Sequence, residues 1–404
     1  MAELPWLTIV GVGEDSPDGL GSASRSALAE AEIVMGPPRH LALVAGLCPQ
    51  AARHEWPVPF AAGYERLLQC RGTATVVLAS GAPFWHGAGV PIASRLEPGE
   101  WRCLPAPSTF SLAAARLAWP LERCVCLGLH AKPLTNARRH VAPGARMLVY
   151  LRDGEAVREW MRLLSDWGFG ETTVHVLEAL GGGRERVRVR AAAEGPPEGI
   201  EHPVLVGVEI EGTGDVVPLT PGISEERFEH DGQITKGPVR ALTLAALAPR
   251  PGERLWDLGA GAGSVAIEWL LRAPSLSATA IERDPDRAER ARRNAARFGV
   301  KLDLREGSSI EMLDELPLPH AVFIGGGLSE ELLGEVWARL PPGARLVTNA
   351  VTLESQQLVM RWSERVGGDL LRIDLARPRS LGRRHAWQPA IPLVQWSAQR
   401  GMKP

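Results

Sequence analysis

The sequence predicts an α/β protein of two domains, the second a doubly wound sheet with an antiparallel edge. Three observations lead there. Short apolar runs alternate with helical patterns along both halves of the chain. A glycine-rich turn follows an apolar run at residues 9–21, IVGVGEDSPDGLG, and another at 256–264, WDLGAGAGS. Between the halves, residues 212–230 are rich in turn formers and charge and carry little periodicity, which reads as a linker.

Taken in order, the first half offers strands at 6–13, 73–80, 124–129, 146–151, 173–180 and 203–210, with helices at 21–32, 109–119 and 155–168. The second half restarts with a helix at 238–248, a strand at 254–260 and a helix at 263–272. A strand at 277–283, a helix at 285–298 and a strand at 301–307 follow. Strands at 320–327 and 345–351, a helix at 353–366 and two late strands at 370–377 and 390–397 complete it. The late pair supplies the antiparallel edge. These boundaries set the domains at 1–211 and 231–404.

Composition narrows the function classes. A chain of 404 residues exceeds one ordinary core. The formal net charge of −2 and only two tyrosines argue against a basic, base-stacking nucleic-acid surface. No apolar stretch approaches a membrane span, and MAELPWLTIVG lacks the charged start of a signal peptide, so a cytoplasmic protein is expected. Cys48, Cys70, Cys103, Cys124 and Cys126 form no CxxC pair and read as reduced thiols rather than metal ligands.

The second glycine turn carries the chemistry. Gly259, Gly261 and Gly263 let the backbone turn tightly and leave main chain bare for a ligand, with the amides of the next helix beyond. Asp257 precedes the turn, and Glu282 ends the following strand, where an acid can accept both hydroxyls of a ribose. A nicotinamide dinucleotide prefers G-x-G-x-x-G. Here the spacing is G-x-G-x-G, with Ser264 in the last glycine's place and an acid that would repel pyrophosphate. The pattern suits a cationic nucleoside, S-adenosylmethionine, with Asp257 expected near its amino-acid end. Gly307 and Ser308 after the third strand are candidates for the adenine, though an ordinary turn reads equally well. Gly326, in the glycine triplet 325–327, leaves room for a large substrate. Asn349 and Thr352 are candidate polar contacts to it, and Thr352 equally suits a helix cap.

On these residues the carboxy-terminal half, from EHDGQITKGPVRALTLAALAPRPGERLWDLGAGAGSVAIEW through FIGGG, NAVTLES and ARPRSLGRRHAW, resembles the precorrin-6Y C5,15-methyltransferase (decarboxylating) family. The amino-terminal half is similar to the tetrapyrrole methylases in VGVGEDSPDGL, AEIVMGPPRHL, LASGAPFWHG, PAPSTFSLAAARLAWPLE and VLEALGGGRERV. The resemblance implies a tetrapyrrole methylase fold of two subdomains, about 1–104 and 105–211, ahead of a Rossmann-like methyltransferase domain. It implies two S-adenosylmethionine sites and a tetrapyrrole substrate, with methyl transfer to carbons 5 and 15 and loss of carbon dioxide from the carbon-12 acetate. The amino-terminal donor site would comprise Gly11, Gly13, Gly81, Ala82, Phe84, Ser108 and Thr109. One departure stands out: the family's S-G-D-P loop reads Ser80-Gly81-Ala82-Pro83, which removes a carboxylate.

A polycarboxylate substrate calls for cations. Arg377, Arg379, Arg383, Arg384 and His385, between the last two strands, are candidates, as is Lys236; a solvated basic loop is the competing reading. HAKPLTNARRH at 130–140 would do the same in the first domain, where a solvated face is the favoured reading. No catalytic dyad and no metal are expected, because the donor methyl is already electrophilic and positioning does the rest. The resemblance also implies a homo-oligomer. Three alternatives stay open: a methyltransferase of RNA, protein or another small molecule, a tetrapyrrole carrier, and a nicotinamide oxidoreductase.

Overall fold

A computed structural model of the chain describes residues 5–401. It divides into two compact units, one through Pro133 and again over His140–Asp215, the other over Leu134–Arg139 and from Val216 onward.

The first unit opens with β1 (Leu7–Val12), α1 (Ser22–Ala29), β2 (Ile33–Gly36), α2 (Pro38–Leu43), β3 (Ala52–Glu55), α3 (Gly63–Gln69), β4 (Thr75–Ser80), α4 (Gly89–Ala93) and β5 (Trp101–Leu104). The five strands are all parallel, in the order β3-β2-β4-β1-β5. Every residue of β1 is buried, which is why LTIVGV reads as one apolar run without alternation. Its register with β4, Leu7 opposite Thr75 through Val12 opposite Ser80, brings both carboxyl ends to one edge. Then come α5 (Thr109–Leu117), β6 (Cys124–Gly128), β7 (Arg146–Leu151), α6 (Gly154–Asp166), β8 (Thr173–Glu178), β9 (Arg186–Ala191) and β10 (Val204–Glu209). These strands form a second sheet, β6-β7-β10-β8-β9, antiparallel except for the β6–β7 pair. Helix α6 is capped by Asp153, which accepts from Ala156 N at 2.9 Å, and buries Val157, Trp160, Met161 and Leu164.

The second unit begins where a linker was expected. From Val217 the segment is core rather than tether: Val217, Ile223 and Phe228 pack on Ile267, Leu271, Ala295 and Phe298. A fully buried ion pair fastens it. Glu268 accepts from Gly222 N (2.7 Å), Ile223 N (2.9 Å) and Arg240 Nε (2.6 Å), while the Arg240 guanidinium donates to the carbonyls of Ile223 and Thr235. The basic stretch expected as a first-domain surface also differs. Leu134–Arg139 packs in the second unit, with Arg138 buried and Arg139 donating to the carbonyls of Leu270 and Leu271.

The main sheet of this unit uses β11 (Arg254–Leu258), β12 (Ser277–Glu282), β13 (Asp303–Glu306), β14 (Ala321–Ile324) and β15 (Arg345–Ala350), followed by β16 (Asp369–Ile373). A hairpin of β17 (Ala376–Leu381) and β18 (Arg384–Pro389) comes next, and β19 (Leu393–Gln399) returns to the main sheet. The order is β13-β12-β11-β14-β15-β19-β16, parallel over the first five and antiparallel at β19, as expected. The helices are α7 (Gly237–Leu247), α8 (Ser264–Arg272), α9 (Pro285–Phe298), α10 (Ser309–Met312), α11 (Glu330–Arg339) and α12 (Leu353–Val366). Apolar layers cover both faces. Trp256, Leu258, Trp362 and Trp396 lie in one; Leu255, Val265, Ala266 and Trp269 lie in the other. The arginine-rich stretch is thus a hairpin, not a loop, turned at Gly382 with φ 61° as a tight hairpin turn demands.

Candidate active site

In the second unit the strand order reverses between β11 and β14, so their carboxyl ends open a crevice. The turn after β11 forms its floor. Gly259, Gly261 and Gly263 have φ of 71°, 57° and 73°, a region that penalises any side chain. A Cβ on Gly259 would stand 2.7 Å from Gly326 N and Cα, so the turn and the glycine triplet touch backbone to backbone. Gly325 N donates to Leu258 O at 2.8 Å and ties them. The crevice, about 730 Å³, is lined by Gly259, Gly261, Glu282, Gly307, Ser308, Gly326, Lys236 and Asn349 among the expected residues.

Glu282 stands at the end of β12, almost fully buried. Its Oε2 accepts from Gly261 N at 2.7 Å and its Oε1 from Asp284 N at 2.9 Å. Two backbone amides thus aim the carboxylate into the crevice, and each oxygen keeps lone-pair capacity for a further donor.

Asp257 is placed differently from the expectation. It lies beneath the turn, 1% exposed, and does not line the crevice. Its Oδ2 accepts from Ala266 N at 3.0 Å, in the first turn of α8, and its Oδ1 has no partner. Burial pushes its carboxyl up to about 7, and the charge of Glu282 adds to the rise. Gly263 also sits below, against Ala291, Ile267 and Leu302.

Thr352 caps α12, accepting from Ser355 N at 3.2 Å, and does not face the crevice. Nor do Arg377, Arg379 and Arg383, exposed on the hairpin. Arg377 lies 3.9 Å from Glu225, and Arg379 donates to Gln388 Oε1 at 3.1 Å. The cations on the crevice wall are Lys236, Arg283 and Arg287. The last two were missed, although RDPDR follows Glu282 directly. Arg287 is itself held by Asp231 Oδ2 (2.7 Å) and Gln233 Oε1 (2.9 Å). Ile234, Val239, Phe323 and Leu332 give the crevice apolar sides.

In the first unit, the ends of β1 and β4 and the start of α5 converge. Gly81, with φ 48°, donates to Val12 O at 3.0 Å, and its carbonyl accepts from Ala106 N at 3.0 Å. A Cβ on Gly11 would press on that carbonyl and on Ala106 N, and one on Gly13 would press on the Asp15 side chain. Ser108 caps α5 by accepting from Ser111 N at 3.1 Å, and Thr109 opens the helix. Ala82 starts the following loop, where Phe84 stacks on Trp101 at 5.4 Å. Beside this edge lies a smaller hollow of about 370 Å³, lined by Glu14, Arg39 and Arg184, with Glu14 paired to both arginines. His40 Nε2 accepts from Arg39 Nη2 at 2.9 Å, and burial followed by the Arg39 charge pushes the imidazole down to about 3. Among the described residues, no group of three or more His, Cys, Asp or Glu stands together as a metal site. Among the same residues, no helix is long and apolar enough to cross a membrane.

A bare glycine turn and a strand-end acid at a topological switch point define a nucleoside-dependent transferase of the Rossmann-like methyltransferase class. Family models agree for both halves: residues 6–194 match the tetrapyrrole (corrin/porphyrin) methylases and 226–400 the precorrin methyltransferase domain. A Sinorhizobium precorrin-6Y C(5,15)-methyltransferase (decarboxylating) is 46% identical over 403 residues, 98% of this chain and 97% of its own. A probable cobalt-precorrin-6B C(15)-methyltransferase (decarboxylating) of Pyrobaculum aerophilum is 36% identical over 172 residues, 40% of this chain and 88% of its own. The crystal structure of the C-terminal domain of precorrin-6Y C5,15-methyltransferase from Rhodobacter capsulatus is 49% identical, covers 46% of this chain and 100% of that one, and superposes with a TM-score of 0.44.

The chain belongs to the precorrin-6Y C(5,15)-methyltransferase (decarboxylating) family. It is an S-adenosylmethionine-dependent methyltransferase of precorrin-type tetrapyrroles in cobalamin biosynthesis, with decarboxylase activity.

Proposed function

We propose that the second-unit crevice binds S-adenosylmethionine, methylates carbon 15 of precorrin-6B and removes carbon dioxide from the carbon-12 acetate. The first unit methylates carbon 5 with a second donor, giving precorrin-8X. The division of labour is supported by the Pyrobaculum relative, a stand-alone chain named for the carbon-15 and decarboxylating steps and about as long as the second family match. The observation that carries the reading is Glu282, locked by two amides over a backbone with no side chains.

The donor, when bound, supplies an electrophilic methyl on a cationic sulfur. This chain's residues hold the partners in place. Glu282 receives the ribose hydroxyls, Gly259 and Gly261 allow close approach along the main chain, and Gly307 and Ser308 border the adenine. Lys236, Arg283 and Arg287 supply positive charge to substrate carboxylates. Ile234, Val239 and Phe323 exclude water from the reacting carbon. In the first unit, Gly11, Gly13, Gly81, Ala82, Phe84, Ser108 and Thr109 border the second donor site, where backbone at Ala82 stands in for the family's carboxylate. We read the protein as a cytoplasmic homo-oligomer that does not act on nucleic acid; five unpaired cysteines and near-neutral charge support the compartment and the substrate class.

Glu282→Ala tests the assignment. Losing a charged acceptor costs about 1.5–3 kcal/mol, so donor affinity at one of two sites falls about ten- to a hundred-fold. Calorimetric titration should pass from two tight sites to one, and product masses should show one added methyl and no loss of carbon dioxide. Unchanged binding at both sites would refute the ribose role.

A further inference from the structure

The crevice wall contains a polar group that two residues outside the crevice hold in one orientation. Asn349, at the end of β15, lies directly across the strand pair from Gln395 of β19. Thr243 of α7 packs over both. All three contacts among them are hydrogen bonds: Asn349 Nδ2 to Thr243 Oγ1 (2.9 Å), Gln395 Nε2 to Thr243 Oγ1 (3.1 Å), and Gln395 Nε2 to Asn349 Oδ1 (3.0 Å). Thr243 is fully buried and Gln395 4% exposed, whereas Asn349 reaches the crevice.

The direction of these bonds is determined by a single proton. Thr243 Oγ1 has one hydrogen and donates it to Val239 O at 2.9 Å, within its own helix. Toward the two amides it is therefore an acceptor only. Both must turn their NH2 groups to it, and the second hydrogen of Gln395 Nε2 then falls on Asn349 Oδ1. A flipped Asn349 would set its oxygen against the Thr243 lone pairs and its NH2 against that of Gln395. An asparagine normally has two amide orientations of similar energy; this one has one. One N–H and one carbonyl lone pair of Asn349 remain unspent, beside a crevice that also holds Lys236.

We propose that Gln395 and Thr243 are positioning residues that hold Asn349 in this single orientation, so that it offers substrate a donor and an acceptor side by side. The free N–H suits an ionised carboxyl side chain of the macrocycle, which only accepts, and the carbonyl lone pair suits a donor beside it, such as a ring N–H. This rests on the reading of Asn349 as a substrate contact in the carbon-15 crevice.

The test is a double-mutant cycle on the full-length enzyme with precorrin-6B, scored as carbon-15 methylation and carbon dioxide release. Asn349→Ala and Gln395→Leu should each lower turnover about ten- to a hundred-fold, the cost of misplacing one contact. S-adenosylmethionine affinity and carbon-5 methylation should not change. The double variant should lose no more than either single one, because Gln395 acts through Asn349. Thr243→Ser keeps the hydroxyl and should match the parent; Thr243→Val removes it and should match Gln395→Leu. If Asn349→Ala leaves turnover intact, the substrate-contact reading fails. If Asn349→Ala is impaired but Gln395→Leu is not, or if the two losses multiply, the positioning role fails while the contact stands. Should Thr243→Val not fold, the Gln395 arm decides alone.

Discussion

Replacing Asp257 by asparagine should change how stability depends on pH. The Asp257 carboxyl is wholly buried, receives one amide and leaves one oxygen unpartnered, and its pKa stands at about 7 against 3.8 for a free aspartate. The folded chain therefore holds this proton more tightly than the unfolded chain. By linkage, stability is lost as pH climbs from about 4 to about 7, and the loss levels off above. About three pH units at about 1.4 kcal/mol each put the full cost of the charged form near 4 kcal/mol. Roughly half of it falls between pH 5.5 and 8, so about 2 kcal/mol is open to measurement. Asparagine cannot ionise. Its oxygen can still accept from Ala266 N, and its NH2 takes the place of the bare oxygen at a pH-independent cost of about 1–3 kcal/mol. The assay is native-state hydrogen exchange of the slowest amides in β11 and β14, without methyl donor, at pH 5.5 and 8, corrected for intrinsic exchange. The gap between variant and parent should shift by about 2 kcal/mol in the variant's favour on going to pH 8. The same gap at both pH values would refute a neutral, buried Asp257.

Two further outcomes can be checked more simply. Gly259→Ala places a methyl group 2.7 Å from the Gly326 backbone at a φ of 71°, so at least about 1–3 kcal/mol of strain is expected. Calorimetric titration should show one donor site lost in a chain that still folds. Arg240→Met strands the buried Glu268 carboxylate, and a loss of about 3–5 kcal/mol is expected, read as a lowered melting transition of the second unit alone.

What the sequence could reveal depended on how local the cause was. The turn 259–263 was legible because three alternating residues in the left-handed region leave glycine as the undemanding choice. Glu282 was legible because a strand end fixes which edge its side chain reaches. Asp257 was misplaced although the period of two contained the answer. Leu255 and Asp257 share a face, and Leu255 packs with Val265 and Ala266 of α8, beneath the turn rather than above it. Arg186–Ala191, reading RVRVRA, alternates as a strand should but was passed over, and four-residue strands such as β2, β3 and β5 are too short for any period to show. The hairpin arginines looked like substrate ligands because charge was weighed without its address. Arg283 and Arg287 were missed for the opposite reason: they flank the Asp284 cap of α9, and a strand-to-helix junction carries no sign of the crevice it borders. The Thr243–Asn349–Gln395 group lay beyond sequence reasoning, since three distant elements must meet before any of its bonds exists.

The buried Arg240–Glu268 pair has a mechanical meaning as well as an energetic one. It grips the incoming chain at residues 222 and 223 and again at the carbonyl of Thr235, immediately ahead of Lys236 in the crevice wall. Like the strain relief on a cable, it absorbs a pull on the upstream polypeptide before that pull reaches the residues that meet the ligand. Fusing another enzyme onto this one's front end therefore need not loosen its grip on the molecule it modifies.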